Sequence, residues 1–221
     1  MTIEYVGTLS RTGAGTISLT ALTGGVSSSV AENDVVFVLA AGDPNAVVNI
    51  DMSGVVSTSG YTLATELYGD STYDCNFALF YKKMSSSPDS MVTLTSTAYD
   101  SRVYVWRGLD TTTPIDVTIT TATGTGPNPN SPSVTPITAG AVVLSLGASS
   151  SFSPPSTAPS GYSNVGSGNK CVAASKTWTS GAEDPGAWSG GVGPTYAWCA
   201  CSVALRPAVS QNNALFFGGD F

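Results

Sequence analysis

The chain has 221 residues, a length that suits one domain or two small ones, and it carries 15 acidic and 8 basic side chains, a net charge of −7, with no histidine. The missing histidine removes the commonest general acid/base, the commonest metal ligand and every triad built on that residue. Only 10% of residues are charged, against about 25% in an average soluble chain, and no basic cluster exceeds Lys82-Lys83, so nucleic-acid binding is not expected.

The opening MTIEYVG has neither the basic nor the apolar region of a secretory signal. The longest apolar run, 35–41, is far too short to span a bilayer. No membrane contact is expected, and the four cysteines are expected to be reduced in the cytosol where the chain is made. Runs rich in Val, Ile, Thr and aromatics, bounded by Gly, Pro, Asn and Ser, predict strands. They lie at 2–9, 16–22, 35–40, 47–52, 77–83, 91–97, 102–107 and 115–121, then at 133–137, 141–146, 170–177 and 195–205. Residues 62–68 read as one short turn of helix.

The order of elements repeats. VVFVLAAG (35–42), GYT (60–62), CNFALFYKK (75–83) and VYVWRG (103–108) are followed by AVVLSLG (141–147), GYS (161–163), KCVAASK (170–176) and CSVALRP (201–207). The separation stays near about 100 residues, the size of a small all-β unit. Between the copies, GTGPNPNSP (124–132) holds three prolines and two glycines. Proline fixes φ and donates no hydrogen bond, so this joint is a linker or a crossover. The crossover is favoured, because either half alone would leave an open sheet face. The expected fold is therefore all-β, a jelly-roll-like β-sandwich of two pseudo-repeated halves. One domain would cover 1–208, with halves at about 1–123 and 133–208, and an aromatic tail would follow at 209–221.

Two loops, 149–168 and 180–193, are long and rich in Ser, Gly and Pro. Such loops are uncommon unless they bind something. The tail holds Leu215, Phe216, Phe217 and Phe221. Burying one Phe is worth about 1.5–3 kcal/mol, so these side chains gain by docking, on their own subunit or on a neighbour. With Trp178 and Trp188 they form the candidate interface.

Cys199 and Cys201 share one strand face, because side chains alternate. They read as small core residues, as do Cys75 and Cys171, which occupy matching places in the repeat; a disulfide between Cys75 and Cys171 is the alternative. Cys-x-Cys supplies too few ligands for a metal. No acidic spacing resembles a calcium loop; a divalent ion held by loop carboxylates is the alternative. No serine sits in a nucleophile elbow, and Lys82, Lys83, Lys170 and Lys176 read as solvated strand-end lysines. Neither enzymatic activity nor a cofactor is expected.

The most distinctive stretch is VYVWRGLDTTTPID (103–116). Tyr104 and Trp106 share one face of a central strand and Val103 and Val105 the other. Arg107 would emerge at its end to pair with Asp110 or Asp116; a ligand-binding Arg107/Trp106 pair is the alternative. This stretch, the Pro-rich joint, ITAGAVVL (137–144), the closing ALRP (204–207) and the opening TISLT (16–20) resemble small β-rich virion proteins of tailed bacteriophages. The resemblance implies a sandwich displayed on the phage particle with no catalytic residues. It implies a capsid decoration, or cement, protein that binds the major capsid protein, locates to the virion and forms a homo-oligomer. A tail-tip or tail-fibre protein binding a host surface glycan is the alternative.

Overall fold

The structure, a computed structural model, describes residues 2–43, 47–151, 153, 155–167, 170–193 and 195–209. The first seven strands are β1 (Glu4–Thr12), β2 (Gly15–Ser18), β3 (Val35–Ala41), β4 (Thr62–Gly69), β5 (Cys75–Lys83), β6 (Met91–Leu94) and β7 (Asp100–Arg107). The next seven are β8 (Thr120–Thr125), β9 (Asn130–Ser131), β10 (Val142–Ser149), β11 (Ser163–Gly166), β12 (Cys171–Thr177), β13 (Gly186–Ala187) and β14 (Ala197–Leu205).

Two antiparallel five-stranded sheets carry the architecture, β1-β7-β3-β5-β4 and β8-β14-β10-β12-β11, with small ribbons β2–β6 and β9–β13. The second order is the first with seven added to every strand, and the ribbons obey the same shift. The protein is thus a β-sandwich in which each half of the chain forms its own sheet. β7 faces β12, β5 faces β14, β3 faces β10 and β4 lies over β8 and β14. An approximate two-fold between β3 and β10 therefore exchanges the halves.

Burial explains the strand sequences. In β3, Val35, Phe37, Leu39 and Ala41 face the second sheet, while Val36, Val38 and Ala40 face a second core. Ile17, Leu19, Met52, Val92 and Leu94, from the β2–β6 ribbon and its loops, roof that second core. Covered on both sides, β3 has no polar face, hence its unbroken apolar run. Strand β10 turns Val142, Leu144, Leu146 and Ala148 inward. Its outer face, with Val143 and Ser145, lies beneath Val134 and Trp188.

Several expectations change. The joint lies earlier than 124–132: β8 already belongs to the second set, and the Pro-rich stretch only links β8 to β9. Proline and glycine mark turns of every kind, and here they mark one inside a repeat. Residues 62–68 form β4, not helix. Thr65 pairs with Leu79 and Leu63 with Phe80, so Ala64 is an extra, bulged residue. The bulge lets Ala64 and Leu67 both pack on the core, a spacing of three that imitates a helix. Residues 47–52 and 133–137 are irregular apart from a single bridge at Val134, and at 115–121 only Ile115 bridges before β8 begins. Conversely, β11 lies within the expected loop 149–168.

Candidate functional site

Strand β7 behaves as the sequence predicts: Tyr104 and Trp106 face the main core, Val103 and Val105 the outer one. Tyr5, Tyr104 and Trp106 form a ring cluster with centroids 5.0–5.5 Å apart. Arg107 does not pair with Asp110 or Asp116. Its guanidinium holds Asp34 at 2.8 and 2.9 Å, because β3 runs beside β7 and ends its ladder with Val35 opposite Trp106. Asp110 instead accepts from the Thr112 and Thr113 amides. Asp116 binds Arg206 at 3.1 Å and accepts from Ile137, Thr138 and the Thr138 hydroxyl. Burial penalises the Asp116 carboxylate, but these donors outweigh it and hold its pKa below the usual range.

All four cysteines are free and buried. Cys199 donates to the Cys75 carbonyl at 3.2 Å and Cys75 to that of Ala148 at 3.5 Å. Burial pushes the Cys201 thiol up to about 12. Cys75 and Cys171 do not match when the last strands are aligned on Arg107 and Arg206. Ala41 pairs with Phe77 and its counterpart Ala148 with Cys171, so Cys171 replaces Phe77.

One charged group was misread from sequence and two were missed. Lys170 is buried, not solvated, and donates to the Ser150 and Ser151 carbonyls. Nearby, buried Arg102 donates to the carbonyls of Cys171 and Ser167 and to the Thr8 hydroxyl. Asp100 accepts from the Cys171 amide at 2.9 Å, and its other oxygen has no hydrogen-bond partner among the described residues. Burial raises the Asp100 pKa and lowers those of Arg102 and Lys170. The Arg102 bonds pin the β11–β12 link across the sandwich, and the Lys170 bonds tie that link to the end of β10 within the second half; the signal was two charges, Asp100 and Arg102, opening an apolar strand.

Of the candidate interface, Trp188 is 1% exposed, packs on Val172 and Ala174 and donates to the Ser145 hydroxyl at 3.0 Å. It roofs the second sheet and offers no contact surface, because β10 presents a polar Ser145 whose hydroxyl takes the indole donor as well as a hydrogen bond with the Ser131 hydroxyl. Trp178 is half-buried against Val134 and Val143. Leu215, Phe216, Phe217 and Phe221 lie outside the described residues.

Grooves open on the surface of the described residues. One, of about 460 Å³, is lined by Asn49, Asp51, Glu66, Leu67 and Tyr68. Its carboxylates are partly used, Glu66 by the Met52 amide and Asp51 by that of Ser53. Another, of about 470 Å³, lies where Thr2, Ile3, Gly140, Val142, Pro207 and Val209 meet. Among the described residues no cluster of three or more Cys, Asp and Glu side chains suits a metal ion.

Charge divides along the fold. The first 116 residues hold 12 of the 15 acidic and 5 of the 8 basic side chains, so the half that builds the first sheet carries the whole net charge of −7. The remainder balances three against three, and residues 117–169 contain no Asp, Glu, Lys or Arg. The molecule is an acidic layer on a neutral one. No family model, no curated protein and no solved structure matches the chain.

Proposed function

We propose that this is a non-enzymatic structural protein of a tailed-phage particle, a decoration protein that lays its neutral layer on the outer surface of the head and stabilises the shell. The separation of charge between the two sheets is the observation that carries this reading. A neutral Ser/Thr/Gly face approaches a partner of any charge without repulsion or costly desolvation of ions. The acidic sheet then points to solvent and keeps particles apart. Each contact is weak, and many copies on one lattice give a large sum through multivalency. The major capsid protein is the partner, and the virion is the location.

Co-sedimentation with undecorated heads tests the reading. Saturation at hundreds of copies per particle is expected. Aspartate at exposed Ser156, Ser160 and Thr179 of the neutral layer should abolish binding, and aspartate at exposed Ser28, Ser59 and Ser86 of the acidic layer should not. A handful of copies per virion, or equal effects of the two triple variants, overturns it.

The groove lined by Asn49, Asp51, Glu66 and Tyr68 favours a second reading, a tail protein binding a host glycan, since carboxylates, an amide and a phenol are groups that hold sugar hydroxyls. Binding to host polysaccharide that Tyr68→Ala abolishes would establish it; absence of binding to any host glycan would remove it.

A further inference from the structure

We propose that two copies of the chain pair through β8, antiparallel about a two-fold, so that their second sheets join into one continuous sheet. The surface is strand Thr120–Thr125, and the occupant is the same strand of a second copy.

An edge strand presents unpaired amides and carbonyls and invites another strand unless it is blunted by charge, proline, a bulge, shortness or a cover. The two large sheets have four edges, β1, β4, β8 and β11. β1 is covered: Thr8 and Thr23 exchange backbone hydrogen bonds, and the Val26 and Ser27 amides donate to Tyr5 and Val6. β4 is bulged at Ala64 and carries Glu66, whose carboxylate accepts from the Met52 amide. β11 has four residues and an irregular register, and Tyr104 occupies the Asn164 carbonyl.

Among the described residues β8 carries only the last of these, at one end: the Trp198 indole donates to the Thr125 carbonyl at 3.3 Å, and a carbonyl has a second lone pair for another donor. Six residues, TTATGT, pair with β14 in unbroken register and include no charge and no proline. Its inward-facing Thr121, Thr123 and Thr125 are nevertheless exposed, so β8 projects beyond the β4 strand that lies over it. In sequence, the nearest charges are Asp116 and Lys170, and Asp116 is buried in its ion pair. On a chain of net charge −7, this is an edge that an identical chain can approach.

The sequence of β8 is also complementary to itself. Centred on Thr123, an antiparallel pairing sets Thr121 opposite Thr125, Thr123 opposite Thr123 and Ala122 opposite Gly124. Threonine favours strands, and cross-strand Thr pairs stabilise a ladder by roughly 0.2–1 kcal/mol each. A two-fold interface needs this self-matching. The inference stands whether or not the protein decorates a phage head.

Sedimentation of the full chain at about 100 µM, where even a micromolar dissociation constant fills the dimer, should give twice the 22.4 kDa chain mass. Thr123→Lys sets two like charges face to face at the axis and should weaken the dimer at least tenfold, about 1.4 kcal/mol, leaving the monomer's thermal midpoint unchanged. Thr123→Cys should cross-link on mild oxidation, since the four native thiols are buried. A monomer at that concentration overturns the proposal. So does a dimer that Thr123→Lys leaves intact and Thr123→Cys fails to lock. A full chain that stays monomeric while residues 1–209 dimerise also overturns it, and would assign the edge to the chain's own tail.

Discussion

At the scale of single residues, the charged groups inside this protein serve to hold chain segments together, and their titration reports it. Asp116 ties the 137–138 turn and the end of β14 to the link between halves. Its folded pKa is lowered, so the stability it contributes is present above the unfolded carboxylate value of about 3.9 and is lost as pH falls through the folded pKa. Asp116→Asn should therefore cost about 1.5–3 kcal/mol at pH 7, the worth of hydrogen bonds to a charged group. The cost should fade once acid protonates the wild type. Urea denaturation at neutral and acid pH would show this, and an equal penalty at both would contradict the assigned role. The cysteines allow a parallel check. All four are buried in the core, and the Cys171, Cys199 and Cys201 thiols have raised pKa values, so none should react with a thiol reagent in the native state, and all four should react after denaturation without reductant.

At the scale of elements, the ribbons decide which strands can be apolar on both faces. Trp188 is the test, since the sequence reading made it a contact for partners and the structure makes it a roof over β10. Truncating a buried Trp typically costs about 3–5 kcal/mol, and Trp188→Ala also strips the donor from the Ser145 hydroxyl. A loss of that size in chemical denaturation is expected; a loss under about 0.5 kcal/mol, the range of surface substitutions, would return Trp188 to the surface. The same contrast explains what the sequence could tell. β3, β5, β7, β10, β12 and β14 were legible because burial on both faces writes continuous apolar runs. β4 was not, because its bulge sets Ala64 and Leu67 on one face at helical spacing. Arg107 found Asp34, 73 residues away, because strand neighbours in this sheet are not sequence neighbours. No local pattern near Arg107 records that.

At the scale of the molecule, the seven-strand repeat makes a pseudo-dimer within one chain, and this fixes how it must unfold. Each half has an inner face of large apolar side chains: Phe37, Leu39, Phe77, Leu79 and Tyr104 on one sheet, Leu144, Leu146, Val203 and Leu205 on the other. Each face is satisfied only by the other. The crossing bonds add to this, for Arg102 and Tyr104 of the first sheet hold the second at Cys171 and Asn164, while Ser150 of the second holds the Tyr73 carbonyl. Neither half can lose its partner without exposing a whole core face. One cooperative transition is therefore expected in calorimetry. At about 0.7 kcal/mol per residue near 60 °C, the van't Hoff enthalpy of the intact chain should be roughly 150 kcal/mol and should equal the calorimetric one. Halves that unfold independently would give two transitions, or a van't Hoff value near half of that. The fragment 117–221, expressed alone, would then fold, whereas the shared core requires it to stay unfolded or to pair with a copy of itself in place of the missing sheet.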